Sequence, residues 1–243
     1  MDEKYYIFVA LAFISEILGT ISGFGSSILF VPIASLFFDF KSVLGITAVF
    51  HIFSNLSKIA LFRDGIHKDI VIKLGLTAII FVIIGAFITT LLPTKHIELV
   101  MNFVLVFVAI YLIINFNKPI QQTDKNLYLG GVISGFIAGI AGTGGAIRGI
   151  TLAAFQLTKD SFIATSALID LGVDTSRAIV YVSNGYFQKE FLFLIPFLIG
   201  ISVLGSYVGK LVLKRTSETI FRYIVLGIII LTAIVQIVKY FNT

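Results

Sequence analysis

Ala138-Gly139-Ile140-Ala141-Gly142-Thr143-Gly144-Gly145-Ala146-Ile147-Arg148-Gly149 lies inside a long apolar run, and Gly19-Thr20-Ile21-Ser22-Gly23-Phe24-Gly25-Ser26-Ser27 lies inside another near the start of the chain. A glycine-rich break has no use there as an ordinary surface turn. The earlier run extends over residues 6–39. As one helix it would measure roughly 50 Å at about 1.5 Å per residue, against a hydrocarbon core of roughly 30 Å. The run must be broken, and the glycines mark where. Irregular backbone at membrane depth is tolerated only when buried in protein or lining a wet cavity. Two such breaks, one per half of the chain, point to a transporter's binding site.

Composition agrees with a membrane setting. The 243 residues are 58% hydrophobic and 13% charged, with a mean hydropathy of +1.03. Soluble domains carry about 25% charged residues, so this is an integral membrane protein. The absence of cysteine excludes disulfide scaffolds, thiolate metal sites and cysteine nucleophiles. The net charge of +5 suits an anionic substrate and basic cytoplasmic loops; it is no sign of nucleic acid. Met1-Asp2-Glu3-Lys4 is not the positive start of a signal peptide, and no small-residue cleavage site follows, so the segment is expected to stay attached.

Apolar runs and polar punctuation predict an all-α protein of two repeats. The first, 1–117, holds the broken segment 6–39 and helices near 43–62, 70–92 and 97–116. A polar linker, 118–127, follows. The second repeat, 128–243, holds the broken segment 128–157 and helices near 161–182, 191–213 and 219–240. The halves align at a spacing of about 119: Lys41 on Lys159 or Asp160, Thr47 on Thr165 or Ser166, Lys58 on Arg177, Gly65 on Gly185, Gly85 on Gly205, Glu98 on Glu218.

Loop charge favours one topology. If each broken run crosses once, eight loop Lys and Arg face one side and seven the other. If each is a hairpin returning to its starting side, ten (Arg63, Lys68, Lys73, Lys118, Lys125, Lys159, Lys210, Lys214, Arg215, Arg222) face five (Lys4, Lys41, Lys95, Lys189, Lys239). The positive-inside rule selects the hairpins, with both termini extracytoplasmic in the cell membrane. The first hairpin's arms, about 16 and 12 residues or roughly 24 and 18 Å as helix, leave its tip inside the membrane. Three crossings plus one hairpin per half make the second half an inverted copy of the first. Tyr5, Tyr6, Tyr128, Tyr186 and Tyr240 fall near helix ends, as an interfacial belt requires.

The tips expose backbone N–H groups at the starts of half-helices, where donors and helix dipole favour an anion. Gly23, Gly25, Ser26 and Ser27 in the first and Gly142, Thr143, Gly144 and Gly145 in the second are the candidate substrate-binding residues, and Ser22 adds a hydroxyl. Close packing of small residues is the plainer explanation of such a cluster. Lys58 and Arg177 join the candidates because a charge in a spanning helix is costly and faces a cavity or partner; snorkelling to the interface is the alternative. Asp170, Asp174 and Arg177 share one helical face, either as a neutralising pair or with a carboxylate that carries a proton. His51 and Asn55 occupy the aligned positions, and His51 is a further proton carrier. Arg148 follows the second tip, with substrate or lipid headgroups as its two possible partners.

No catalytic residue, metal site or cofactor motif is present: His51, His67 and His96 lack ligand spacing, and Gly142-Thr143-Gly144-Gly145 has no following Lys-Ser or Lys-Thr. Gly23-Phe24-Gly25-Ser26-Ser27 leading to Val31-Pro32, then Gly45-Ile46-Thr47-Ala48, repeated in Gly142-Thr143-Gly144-Gly145 and Ala164-Thr165-Ser166, together with Arg63-Asp64-Gly65-Ile66, resembles the sulfite exporter TauE/SafE family of bacterial and archaeal membrane permeases. The family usually shows a richer glycine run where this chain has Ser26 and Ser27. The resemblance implies a permease for sulfur-containing anions such as sulfite, sulfoacetate or other organosulfonates, often in export. The residues alone imply a secondary transporter of a small anion, with an ion or proton as possible coupling partner; a passive anion channel, or an intramembrane enzyme or assembly subunit, are the alternatives.

Overall fold

The computed structural model describes residues 3–213 except 24, 63, 64 and 115–120, together with 230, 234, 237 and 238. The described residues are helical and contain no strand. The elements are α1 (Glu3–Ser22), α2 (Ser27–Ala34), α3 (Phe40–Leu61), α4 (Lys68–Leu91), α5 (Thr94–Ile114), α6 (Asp124–Ala141), α7 (Gly145–Ala153), α8 (Lys159–Ser183) and α9 (Lys189–Leu213). Residues 71–75 of α4 form a wider π-turn, and 189–194 of α9 a 3₁₀ turn. The predicted helix 219–240 lies outside the described residues apart from 230, 234, 237 and 238, which are helical.

Both broken runs break at a glycine. Gly23 and Gly142 are left-handed, with φ of 70° and 73°, and their N–H groups bond back to Gly19 O and Ala138 O at 3.2 and 3.0 Å, a helix stop that suits glycine. The first arms differ from expectation: α1 has 20 residues and α2 has 8. α1 runs unbroken through Ser15, Glu16 and Thr20 as far as the glycine stop at Gly23. α2 ends at Ala34, and the Ser35 hydroxyl donates to Val31 O at 2.7 Å just beyond it. The second run begins at Asp124 rather than 128, because the Thr123 side chain caps the helix by accepting from Asn126 N at 3.3 Å.

Each broken run folds back on itself. Phe30 and Phe38 pack on Phe8, with ring centroids 4.9 and 5.0 Å away, so the chain after the first tip returns toward the start of α1. In the second run, a Cβ on Gly130 would strike Thr151.

The halves contact one another reciprocally. α1 packs along α9 and α6 along α4, while α3 pairs with α8. α3 and α8 run antiparallel: Gly45 lies against Tyr186 at one end, Asn55 bonds Asp174 in the middle, and Ser161 donates to Gly65 O at the other. Their N-caps are also equivalent, Asp39 accepting from Ser42 N and Thr158 from Ser161 N.

Among the described residues, four helices are long and apolar enough to cross a membrane: Tyr5–Ser22, Phe40–Leu61, Lys68–Leu91 and Lys189–Leu213. The exterior carries large apolar side chains such as Leu76, Ile80 and Phe87 of α4 and Leu204 and Tyr207 of α9. Tyr6 and Tyr128 are exposed as an interfacial belt requires, but Tyr186 is buried, stacked on Tyr181 at 5.3 Å with its hydroxyl donating to Thr89 O. It braces the interior instead. Tyr240 lies outside the described residues.

Candidate functional site

Buried polar and charged side chains gather in the interior of the described helices. A small cavity of about 20 Å³ lies between the tips, lined by Gly25, Ser26 and Ser27 of the first, Gly142, Gly144 and Gly145 of the second, and His51, Lys58, Arg148, Asp170, Asp174 and Arg177. Eleven of the thirteen candidate residues read from sequence therefore line one space, and Thr143 touches it through a 3.4 Å contact with the Ser27 hydroxyl. Gly23 does not. It lines a separate cavity of about 190 Å³ with Ser22, Lys159 and Phe162.

Position follows from local structure. α2 starts at Ser27 and α7 at Gly145, so the N-termini of two short helices from different halves face one cavity. Free N–H groups at a helix start favour negative charge. A Cβ on Gly144 would strike Ser134 O, so only glycine lets the second tip pack this tightly against α6.

Each cation of the cavity is held by a carboxylate. Arg177 donates through Nε to Asp174 Oδ1 at 2.7 Å and through Nη1 to the Gly142 carbonyl at 2.5 Å. Asn55 donates to the other Asp174 oxygen at 2.7 Å. Arg148 pairs with Asp170 and donates to Ser166 Oγ at 3.0 Å. Lys58 Nζ lies 2.9 Å from Glu16 Oε1 and donates to Ser54 Oγ at 2.7 Å. Lys58 and Arg177 are 6% and 1% exposed, which overturns snorkelling for both. Arg148, 3% exposed, does not reach headgroups.

Glu16 was missed by sequence reasoning. It is fully buried on α1 and accepts from Ser26 Oγ, Ser54 Oγ and Ser206 Oγ at 2.7–2.8 Å as well as from Lys58. A signal was present: Glu16 is the lone charge between Lys4 and Asp39, and such a charge needs a partner or a cavity. Among the described residues no group of three or more His, Asp or Glu could hold a metal ion.

The family model for sulfite exporter TauE/SafE matches residues 7–235, nearly the entire chain. The chain belongs to the sulfite exporter TauE/SafE family. Membership implies a membrane transporter of sulfite or related sulfur anions. No curated protein and no solved structure matches the chain. In this TauE/SafE chain both glycine tips fall within the matched region, and so does every ion pair of the cavity.

Proposed function

We propose that the protein carries a small sulfur-containing oxyanion, such as sulfite or an organosulfonate, outward across the cell membrane through the cavity between its two tips, by transport coupled to an ion. The observation that carries this reading is the convergence of two half-helix N-termini with Lys58, Arg148 and Arg177 on one buried cavity. An oxyanion there meets backbone N–H groups, helix dipoles, the Ser27 and Thr143 hydroxyls and three cations, each favourable in a low-dielectric interior. Export follows the family's description.

The carboxylates explain how such a site exists without substrate. Glu16, Asp170 and Asp174 neutralise the three cations, so no uncompensated charge is buried. An arriving anion must take over some of these cations, and a proton on a neighbouring carboxylate would release one. Asp170, Asp174 and His51 are the coupling candidates at the cavity wall. A cavity of about 20 Å³ holds about one water, so admitting an anion requires the tips to part. The antiparallel α3 and α8 and the reciprocal packing of α1 on α9 and α6 on α4 support an inverted repeat, in which each half could open toward one face.

The test is direct. Sulfite, thiosulfate and sulfoacetate are added to purified protein during thermal unfolding; a binder at a hundred times its Kd stabilises by about 2.7 kcal/mol. The same anions are then followed into proteoliposomes. Stabilisation with ion-coupled flux is the expected result. Conductance without coupling would mean a passive channel, and neither binding nor flux would overturn the reading.

A further inference from the structure

Glu16 is the least exposed charge among the described residues, and a structural ion pair with Lys58 does not account for its surroundings. Three hydroxyls besides Lys58 point at it within 2.8 Å, one each from the first tip, α3 and α9, and Thr20 Oγ1 lies 3.5 Å away. The tip hydroxyl is the informative one. Ser26 is the N-cap of α2, yet its side chain makes no cap hydrogen bond. Ser26 Oγ instead lies 2.8 Å from Glu16 Oε2 and 2.9 Å from His51 Nε2, bridging the two. The other His51 nitrogen, Nδ1, lies 3.4 Å from Arg177 Nη2 and 3.7 Å from Asp174 Oδ2. A chain of polar atoms thus runs from a carboxylate of the first half, through a hairpin tip, to the carboxylate–guanidinium pair of the second.

The donor assignment is self-consistent. Arg177 can only donate, so neutral His51 accepts at Nδ1 and carries its proton on Nε2; Nε2–H donates to Ser26 Oγ, and Ser26 O–H donates to Glu16 Oε2.

We propose that Glu16 is the proton-binding site of the transport cycle and that Ser26 and His51 are the relay that loads it. The proposal rests on the anion-transport reading above. A proton taken from water at His51 Nδ1 makes the ring cationic. The Nε2–H bond then breaks as Ser26 Oγ gains that proton, and the Ser26 O–H bond breaks as Glu16 Oε2 gains the hydroxyl's own. His51 returns to neutral with its proton on Nδ1, Ser26 is unchanged, and Glu16 has passed from −1 to 0. Lys58 loses its counter-charge and, lining the cavity, is released toward an anion. The charges facing the relay from each packed element are Lys58 on α3, Asp170, Asp174 and Arg177 on α8 and Arg148 on α7; α9 supplies only the Ser206 hydroxyl. Because Ser26 is carried on the tip, parting of the tips breaks the relay, so a proton cannot leak across while the anion is in transit.

The experiment uses the full chain in liposomes with an internal pH dye, driven by a gradient of sulfoacetate, whose carboxyl and sulfonate are both ionised between about pH 6 and 8. Protons moved per anion are read. The wild type is expected to move protons in fixed proportion to sulfoacetate. Ser26→Ala and Glu16→Gln should lower the ratio at least about tenfold, while Ser26→Thr, which restores a hydroxyl, should keep it. Because Glu16→Gln leaves Lys58 unpaired, the double variant Glu16→Gln with Lys58→Met is made beside it. Wild-type sulfoacetate flux without a pH change, flux that follows sodium instead, or an unchanged ratio in Ser26→Ala would overturn the relay. Absence of wild-type flux for every sulfur anion would overturn the transport reading itself.

Discussion

Arg177 is the side chain through which the second helix hairpin, α8 and the first half touch one another. One guanidinium reaches Asp174 on its own helix, the Gly142 carbonyl at the second tip and His51 of α3. A fork of five fixed donors can hold three such partners, where a lysine could not. Its pairing with Asp174 and its proposed role in receiving the anion separate in a mutant pair. Arg177→Ala leaves a buried carboxylate unpaired and should cost about 3–5 kcal/mol of stability, read as a lower unfolding temperature. Arg177→Ala with Asp174→Asn removes both charges and should recover most of that loss while sulfoacetate uptake stays absent. Restored uptake in the double variant would show a purely structural pair. Lys58 and Arg177 could be found from sequence because each interrupts an apolar helix and the two are equivalent in the repeat. Their partners were unequally visible. Asp174 sits within a turn of Arg177, but Glu16 lies on another helix and nothing in its spacing ties it to Lys58. Arg148 pairs with Asp170 across 22 positions, a contact that only tertiary packing creates.

At the scale of elements, close approach between helices depends on glycine faces. A Cβ on Gly139 would strike the backbone of Val82, Gly85 and Ala86, and one on Gly85 would meet Phe136 O at 2.5 Å. Backbone cannot rotate away, so α4 and α6 must separate if either gains a side chain. The matching contact, Gly205 and Gly209 against Glu16 and Thr20, joins α9 to α1. Gly139→Ala should therefore lower stability by about 1–3 kcal/mol. Gly200→Ala, on α9 with nothing within 4 Å, should leave it unchanged or slightly raised because alanine favours helix. Equal behaviour of the two in thermal unfolding would show that these helices do not owe their approach to glycine. Hydropathy placed the described helices to within a few residues because they are long, mostly apolar and bounded by polar residues. It misjudged the hairpin arms, since α2 ends at Ala34 inside an apolar stretch where hydropathy does not mark the stop. It also gave Tyr186 an interfacial place on the strength of its position near a helix end, when the ring stacks inward on Tyr181.

Among the described residues the long helices turn large apolar side chains outward while ion pairs lie buried between them, an arrangement that suits a bilayer. A charged helix such as α8, with Lys159, Asp160, Asp170, Asp174 and Arg177, is about 37 Å long and could span a bilayer. Most of its charges are compatible with lipid only because α3, α4 and the tips surround them. The chain after the first tip comes back to Tyr5 and Phe8 before α3 begins. If each hairpin returns to its starting side of the membrane, α3 is the first complete crossing and residue 68 lies across the membrane from residue 4. Had α1 and α2 together crossed once, both residues would share a side. The natural absence of cysteine makes the distinction measurable without background. Lys4→Cys and Lys68→Cys should react with a membrane-impermeant thiol reagent from opposite sides, Lys4→Cys from outside the cell and Lys68→Cys only after the membrane is opened. Lys95→Cys, one crossing further, should behave like Lys4→Cys. Labelling of positions 4 and 68 from the same side would remove the opposed orientation of the two halves, and with it the account of two tips meeting an anion from opposite faces.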